Sequence, residues 1–160
     1  MRTTREGPTQ LVPAVGRLGE ACYYDAADPF RYLSLAKQFS DAKHISLETY
    51  RKSGAGVRTT VWVVEDGGVL YIRTDPRSGK AKRVRNNPHV RVAVAEMGGT
   101  VRGDWEDGEA FQVDQKDSGR VRELFRKKYG VQMKLFGVLS RLPGGRRNDS
   151  LLLGIRLKDN

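Results

Sequence analysis

The chain has 160 residues, with 29 Lys and Arg against 19 Asp and Glu, so its formal net charge is +10 at pH 7. This length predicts a single domain, and 38% hydrophobic residues are enough for a core, which excludes wholesale disorder. One cysteine and two histidines exclude an intrachain disulfide and a three-histidine zinc site, and we predict no metal. No apolar run approaches the roughly 18 residues of a membrane helix and no signal-peptide core is visible, so we expect a cytoplasmic protein.

The positive charge is concentrated in the middle of the chain. Residues 51–91 hold 10 basic and 3 acidic side chains, a net +7, whereas residues 1–50 hold 6 of each sign. A concentrated basic field indicates an anionic partner such as a phosphate, a nucleic acid or a polycarboxylate. A solvated basic surface would give the same pattern.

The N-terminal part of the sequence differs from the rest. Residues 1–27 show no sustained periodicity and contain several Gly and Pro residues, which predicts an extension that precedes a domain of residues 28–160. Asp28 and Pro29 match an N-cap and a first helical position, so we predict a short helix that ends near Ala42.

From His44 onward the apolar pattern changes to a period of two. Strands are predicted at 44–50, 57–64, 69–74, 89–96, 100–113 and 151–157, with a hairpin turn at 65–68. A short basic helix is predicted at 80–86, and an apolar stripe predicts another from residue 117 or 118 that ends at Gly130. A further helix at 131–142 and a loop at 143–149 follow. Antiparallel strands with few crossover helices predict a mainly β fold, a small barrel with peripheral helices.

The start of the basic helix has the composition of an anion site. Gly79 and Lys80 resemble the end of a phosphate-binding P-loop, but the flanking residues do not match, which excludes a P-loop NTPase. Ser78 and Gly79 before a helix expose main-chain N–H groups that favour anions. Lys80 and Arg83 share a helix face, and like charges so close cost stability unless an anion lies between them. A solvated basic helix is the alternative.

No catalytic side chain can be identified from the sequence. His44, His89 and Glu96 have no partners at the spacing of a triad or a metal site, and no Cys–His signature surrounds Cys22. The catalytic residues are therefore left unassigned.

Four motifs in a fixed order carry a resemblance to a known family. They are Arg-Thr-Thr-Val-Trp at 58–62, Leu-Tyr-Ile-Arg-Thr at 70–74, Ser-Gly-Lys-Ala-Lys-Arg at 78–83 and Asn-Asn-Pro-His-Val at 86–90. Together they resemble the flavin-binding split-barrel superfamily, which includes pyridoxamine 5'-phosphate oxidase. The sequence is also similar to the deazaflavin (coenzyme F420)-dependent oxidoreductase branch of that superfamily. This similarity lies in Arg-Lys-Lys-Tyr-Gly at 126–130 and in Arg-Arg at 146–147.

The resemblance implies a six-stranded antiparallel split barrel that forms a homodimer, with cofactor sites at the dimer interface. It implies a phosphate contact for Arg58 and a phosphate clamp at 78–80. The residues that it assigns to the cofactor are Arg58, Thr59, Thr60, Val61, Trp62, Arg73, Thr74, Ser78, Gly79, Lys80, Lys82 and Arg83.

Two departures from the family pattern bear on the choice of cofactor. Gly79 stands where the clamp has an arginine, and Val63 stands where a lysine is expected. The C-terminal residues also lack the Trp- and Arg-bearing segment of the oxidase. These differences weaken the case for a pyridoxamine phosphate oxidase that holds FMN in the usual way. The basic residues that could attract the oligoglutamate tail of F420 are Lys52, Lys82, Arg83 and Arg85.

Three functions are compatible with these patterns. The main hypothesis is an F420-dependent oxidoreductase that transfers a hydride to or from a small organic substrate, with the chemistry carried by the cofactor. The first alternative is an FMN-binding oxidase or reductase of the same fold. The second is a non-catalytic, basic nucleic-acid-binding module, against which stand the few aromatic residues in the basic run and the absence of a recognition motif.

Overall fold

The computed structural model describes residues 11–15, 21–25, 37–139 and 150–158. In the N-terminal part, strands β1 (Leu11–Val15) and β2 (Ala21–Asp25) form a two-stranded antiparallel sheet. These two strands were not predicted, because Pro13 lies inside the first strand and Pro is disfavoured within sheets. Of the helix predicted up to residue 42, residues 37–41 are helical and 28–36 lie outside the described residues. The predicted loop at 143–149, with the arginine pair at 146–147, also lies outside them.

Six antiparallel strands close into a barrel in the order β3-β4-β5-β8-β7-β6. The strands are β3 (His44–Tyr50), β4 (Gly56–Asp66), β5 (Val69–Thr74), β6 (His89–Ala95), β7 (Glu106–Gln112) and β8 (Leu151–Leu157). β6 pairs with β3 and closes the barrel. The predicted mainly β, six-stranded antiparallel barrel is therefore confirmed.

Strand alternation fills the barrel with aliphatic side chains. Ile45, Leu47, Val63, Ile72 and Ile155 are completely buried in one cluster. Because successive side chains on a strand point to opposite faces, the residues between them lie on the outer face of the barrel. That outer face holds most of the polar residues considered below.

Helix α1 (Gly79–Asn86) covers one end of the barrel. Its apolar residues Ala81 and Val84 are buried, and Val84 belongs to the barrel cluster. The remaining positions of this helix are mostly basic, so one short helix both closes the core and presents positive charge.

Helix α2 (Gln115–Leu139) packs on the outer face through Val121, Phe125 and Tyr129, which contact Tyr71 and Leu152. It is one continuous helix, so the prediction that it ends at Gly130 and that a second helix follows was wrong. Gly130 lacks the positive φ of a C-terminal cap, and an interior glycine costs a helix only about 1 kcal/mol. Within the described residues, no helix is long and apolar enough to span a membrane.

The strand predicted at 100–113 is shorter than expected. β7 begins only at Glu106, and Val101 makes a single bridge with Ala95 across the turn that contains Gly99 (φ 91°). The segment between them leaves the sheet and carries Trp105 out over the barrel wall, where it meets Arg58.

Candidate functional site

β4 changes its pairing partner along its length. Its first part, Gly56 to Trp62, pairs with β3, and its last part, from Val63 to Asp66, pairs with β5. The ladder with β5 ends at Val63↔Ile72, and the chain leaving β5 continues through a short loop into α1. This divergence of β4 from β5 is the split in the barrel, and it places the first turn of α1 at the same end as the first part of β4.

The loop into α1 is held by hydroxyl groups. Thr74 Oγ1 and Ser78 Oγ lie 3.0 Å apart, and Ser78 Oγ accepts a hydrogen bond from the main-chain N–H of Ala81 at 3.2 Å. Ser78 is therefore the N-cap of α1, which satisfies one of the donors that a helix start leaves unpaired. The predicted residues Thr74 and Ser78 are thus in direct contact.

Two cations converge on the first turn of α1. Arg83 donates from Nε to Thr49 Oγ1 of β3 at 2.8 Å, and its Nη1 atom lies 2.8 Å from the point where a Cβ on Gly79 would stand. Burial and, after it, the charge of Arg83 lower the pKa of Lys80, while Asp75 acts in the opposite direction. Lys80 and Arg83 therefore form a half-buried positive pair beside Gly79.

Arg58 is held on the outer face of the barrel by two residues that the sequence analysis did not single out. Its Nε donates to Glu48 Oε1 at 2.9 Å, and its guanidinium lies 4.8 Å from the ring centre of Trp105. Burial alone would raise the pKa of Glu48, but hydrogen bonds from Arg58 and Tyr50 and the charge of Arg91 outweigh it, and the pKa is lowered. Glu48 is thus an ionised, nearly buried carboxylate that fixes Arg58.

The same surface carries a second layer of charged and aromatic groups. Arg91 lies on the Trp105 ring at 5.6 Å, with its Nε 3.8 Å from Asp107 Oδ1. Asp107 Oδ1 is also 3.3 Å from His89 Nε2, and the His89 ring stacks on Tyr50 at 5.2 Å. No described group of three His, Cys, Asp or Glu residues could hold a metal ion.

The two basic groups are neighbours through β3. Glu48, which holds Arg58, and Thr49, which holds Arg83, are consecutive residues and pair with Arg58 and Val57 of β4. Because consecutive residues of a strand face opposite ways, Arg58 lies outside the barrel wall and Arg83 lies over its end.

The next residues of β4 are used in packing. Val61 is buried in the barrel core, and alternation puts Thr59 on the same face. Thr60 Oγ1 lies next to Gly99, 3.2 Å from where a Cβ on that glycine would stand. Trp62 stacks on Tyr129 at 5.0 Å. Any contact of Val61 with a ligand would therefore come from its main chain.

Three predicted cations have other surroundings than Lys80 and Arg83. Arg73 is on the outer face of β5, and burial together with the charge of Arg122 on α2 lowers its pKa. Lys82 and Arg85 are exposed on the solvent side of α1. The structure thus gathers Thr74, Ser78, Gly79, Lys80 and Arg83, and it directs Arg73 toward α2.

The structure gives the run at 126–130 a positioning role. Lys128 Nζ donates to the carbonyls of Ser40 and Ala42 at 2.9 and 2.6 Å. Tyr129 Oη lies 2.6 Å from the carbonyl of Lys43, and burial raises the pKa of Tyr129 to about 12. These contacts fasten α2 to the segment that leads into β3. The apolar stripe predicted the helix, but nothing local in the sequence indicates these long-range partners.

No family model and no curated protein matches the chain, whereas several solved structures match it. A proposed pyridoxamine 5'-phosphate oxidase from Listeria innocua aligns with a TM-score of 0.59 at 16% identity, over 81% of this chain and 94% of that one. A FAD-binding protein from Mesorhizobium loti aligns at 0.57 and 14% identity, over 79% and 87%. An F420 reductase aligns at 0.51 and 16% identity, over 77% and 92%. With its closed six-stranded antiparallel barrel and these neighbours, the chain has a split-barrel fold of the pyridoxamine 5'-phosphate oxidase type.

Proposed function

We propose that the chain is an oxidoreductase that binds coenzyme F420 and exchanges a hydride between that cofactor and a small organic substrate. The observation that carries the proposal is the half-buried pair Lys80 and Arg83 at the first turn of α1, next to the split between β4 and β5. Two cations this close cost stability unless an anion lies near them. An F420 reductase and a FAD-binding protein share the fold, which supports a phosphate-bearing flavin-type cofactor as that anion.

The residues present fit a phosphate group. Lys80 and Arg83 offer charged donors, and the main-chain N–H groups of Gly79 and Lys80 belong to the first helical turn, where helices leave donors without intrahelical acceptors. Gly79 carries no side chain that would keep a ligand from those N–H groups. These groups would hold the phosphate, and the bound cofactor would supply the hydride chemistry.

Arg58, on the outer face of the barrel, would also contact the cofactor. Its side chain is 62% exposed, so a ligand can reach the guanidinium while Glu48 holds Nε. The main chain of Val61 and Trp62 would run along the ring of the cofactor, because their side chains are engaged in packing.

The charge distribution supports F420 as the first choice. Lys52, Lys82 and Arg85 are exposed, so they can attract an acidic oligoglutamate tail while Lys80 and Arg83 hold the phosphate. FMN is the second candidate, since Arg83 brings a guanidinium to Gly79 and thereby offsets the loss of the clamp arginine there.

We also propose that the chain acts as a homodimer with the cofactor at the interface. The supporting feature is the outer face around Arg58 and Trp105, where aromatic and charged groups form a surface like the core and rim of an interface. Sedimentation at micromolar concentration is expected to give twice the chain mass, and a monomer mass would contradict a shared site.

Cofactor titration tests the function. Purified protein is titrated with F420 and, separately, with FMN, following cofactor fluorescence. We expect saturable binding of F420, weakened in Lys80→Gln and unchanged in Lys116→Gln, which removes the same charge from the exposed start of α2. Binding of FMN alone would show that F420 is the wrong cofactor, and binding of neither would refute the proposed function.

A further inference from the structure

A tryptophan holds one of the two histidines in a single protonation form. Trp62 Nε1 donates a hydrogen bond to His44 Nε2 at 2.9 Å, across directly paired positions of β4 and β3. An indole N–H can only donate, so Nε2 must be the unprotonated nitrogen of the imidazole ring. Neutral His44 therefore carries its proton on Nδ1, where the N–H is a hydrogen-bond donor.

This donor is not used within the part of the chain that the structure describes. None of the described residues accepts a hydrogen bond from His44 Nδ1, and that atom is not one of the buried side-chain atoms that lack a partner. The side chain is partly exposed, and strand alternation puts it on the outer face of the barrel. The Nδ1–H group is therefore open to a molecule that approaches from outside the barrel.

The histidine and the tryptophan are both held in place by α2. The Trp62 ring stacks on Tyr129 at 5.0 Å, with 7° between the ring planes. Tyr129 Oη lies 2.6 Å from the carbonyl oxygen of Lys43 and 2.7 Å from that of Val63. These two residues adjoin His44 and Trp62 in the sequence. A donor that is fixed before the reaction stabilises a developing negative charge well, because it needs no reorganisation.

We infer that His44 is a catalytic hydrogen-bond donor, and that the substrate is a carbonyl compound whose oxygen accepts from His44 Nδ1. The inference rests on the proposed function, in which the main chain of Trp62 runs along the ring of the cofactor, because His44 pairs directly with Trp62. As the carbonyl carbon takes a hydride from the reduced cofactor, the electron pair of the C=O double bond moves onto the oxygen. His44 Nδ1–H stabilises that oxygen, and water supplies the proton that completes the alcohol.

His44 acts here as a neutral donor and not as an acid. Burial, followed by the charge of Lys43, lowers the pKa of His44, so the neutral ring prevails near pH 7. The ratio of the hydride-transfer rates of the wild type and His44→Gln should therefore stay constant between about pH 7 and pH 8, since neither side chain titrates there. A histidine that donates the proton itself would make this ratio rise as the pH falls, and that result would contradict the neutral donor.

The free protein tests the geometry without any cofactor. Nitrogen NMR shifts of the imidazole ring report which of its two nitrogens carries the proton. We expect the Nδ1–H form of His44 in the wild type near pH 7, and a mixture of both forms in Trp62→Phe, which lacks the indole N–H. A proton on Nε2 of His44 in the wild type would overturn the inference.

Single-turnover kinetics test the role of His44 in the loaded protein. Reduced F420, or reduced FMN if only FMN binds, is loaded onto the full chain, and its oxidation by cyclohexanone or acetophenone is followed. We expect His44→Leu to slow hydride transfer about 10-fold or more while it binds the cofactor as tightly as the wild type does. His44→Gln keeps an acceptor and a donor, so it should lose less. His89→Gln changes the other histidine, which faces Asp107, and it should transfer hydride at the wild-type rate.

Cofactor binding and hydride transfer distinguish the possible failures. Equal transfer rates in the wild type and His44→Leu, or no transfer to either ketone from a wild type that binds the cofactor, would overturn the inference and leave cofactor binding standing. Weaker cofactor binding in His44→Leu would show that His44 contacts the cofactor, which would overturn its assignment to the substrate. A wild type that binds neither F420 nor FMN would refute the proposed function, and the role of His44 with it.

Discussion

The hydroxyl of Tyr129 on α2 takes the place of a strand neighbour for Val63 on β4. Tyr129 Oη accepts from the N–H of Val63 at 3.3 Å and lies 2.7 Å from its carbonyl oxygen. Val63 is the residue at which β4 passes from β3 to β5, since along β4 the ladder with β3 ends at Trp62 and the ladder with β5 begins at Val63. A side chain of α2 therefore fixes the main chain of β4 at the point where the barrel splits.

Tyr129→Phe is expected to destabilise the fold by about 1–3 kcal/mol, because a buried main-chain N–H loses its partner while the ring still stacks on Trp62. Urea unfolding measures the change. Tyr50→Phe, which removes a hydroxyl from a half-buried edge position, serves as the control and should cost less. Equal losses of unfolding free energy in the two variants would show that the Tyr129 hydroxyl has no special role at Val63.

His44 should make stability depend on pH. Trp62 Nε1 donates to His44 Nε2 at 2.9 Å, so that nitrogen must be unprotonated, and burial followed by the charge of Lys43 lowers the pKa of His44. His44 binds a proton more readily in the unfolded chain than in the folded one. The stabilisation that neutral His44 gives the fold is therefore complete above about pH 6.5, and it is lost as the pH falls through the lowered pKa. In His44→Gln the unfolding free energy should vary less between pH 7.5 and 5, and an unchanged pH dependence would contradict this role.

Glu48 should act in a lower pH range. Its pKa is lowered, because the hydrogen bonds and charges of its neighbours outweigh burial, so its contribution is present above about pH 4.5 and is lost as the pH falls through the lowered value. Glu48→Gln is expected to cost about 1 kcal/mol near pH 7, and this cost should shrink as the pH falls through the lowered pKa of Glu48. Unfolding by urea across this range checks it. Glu96→Gln, which breaks the exposed pair with Arg102, should show a smaller effect, and a stability difference between wild type and Glu48→Gln that does not shrink as the pH falls would rule out the ionic explanation.

Gly130→Ala should stabilise the protein by about 0.5–1 kcal/mol. Gly130 lies inside α2, its φ is not positive and a Cβ there would meet nothing within 4 Å, so only the entropy cost of glycine remains. Thermal unfolding measures the effect. If α2 ended at this residue in a left-handed cap, the same substitution would destabilise the protein, and that result would contradict the continuous helix.

Local sequence signals predicted the barrel strands well where apolar runs and turn residues agree. The predicted strands at 69–74 and 151–157 have the observed bounds, since both are short apolar runs and Gly67 and Gly68 supply the positive φ of the hairpin before the first. The strand predicted at 100–113 was too long, because the pattern does not show that the chain leaves the sheet after Arg102, whose N–H still bonds to the carbonyl of Val94.

The candidate site was predictable only in part. Ser78, Lys80 and Arg83 follow from helix spacing and capping chemistry, which act within one turn. The partners that orient the cations do not, since Arg83 reaches Thr49 across 34 residues and Arg58 meets Glu48 only through the register of β3 and β4. Such pairs depend on how strands and helices pack, which no local pattern specifies.

If a phosphate-bearing deazaflavin binds at the first turn of α1, F420 should bind more tightly than its phosphate-free chromophore does. Fluorescence titration of the wild type should give saturable binding of F420, about 10-fold or more tighter than the phosphate-free compound, and Lys80→Gln should remove most of that difference. Equal affinity for the two compounds, or no saturable binding of F420, would contradict binding at this site.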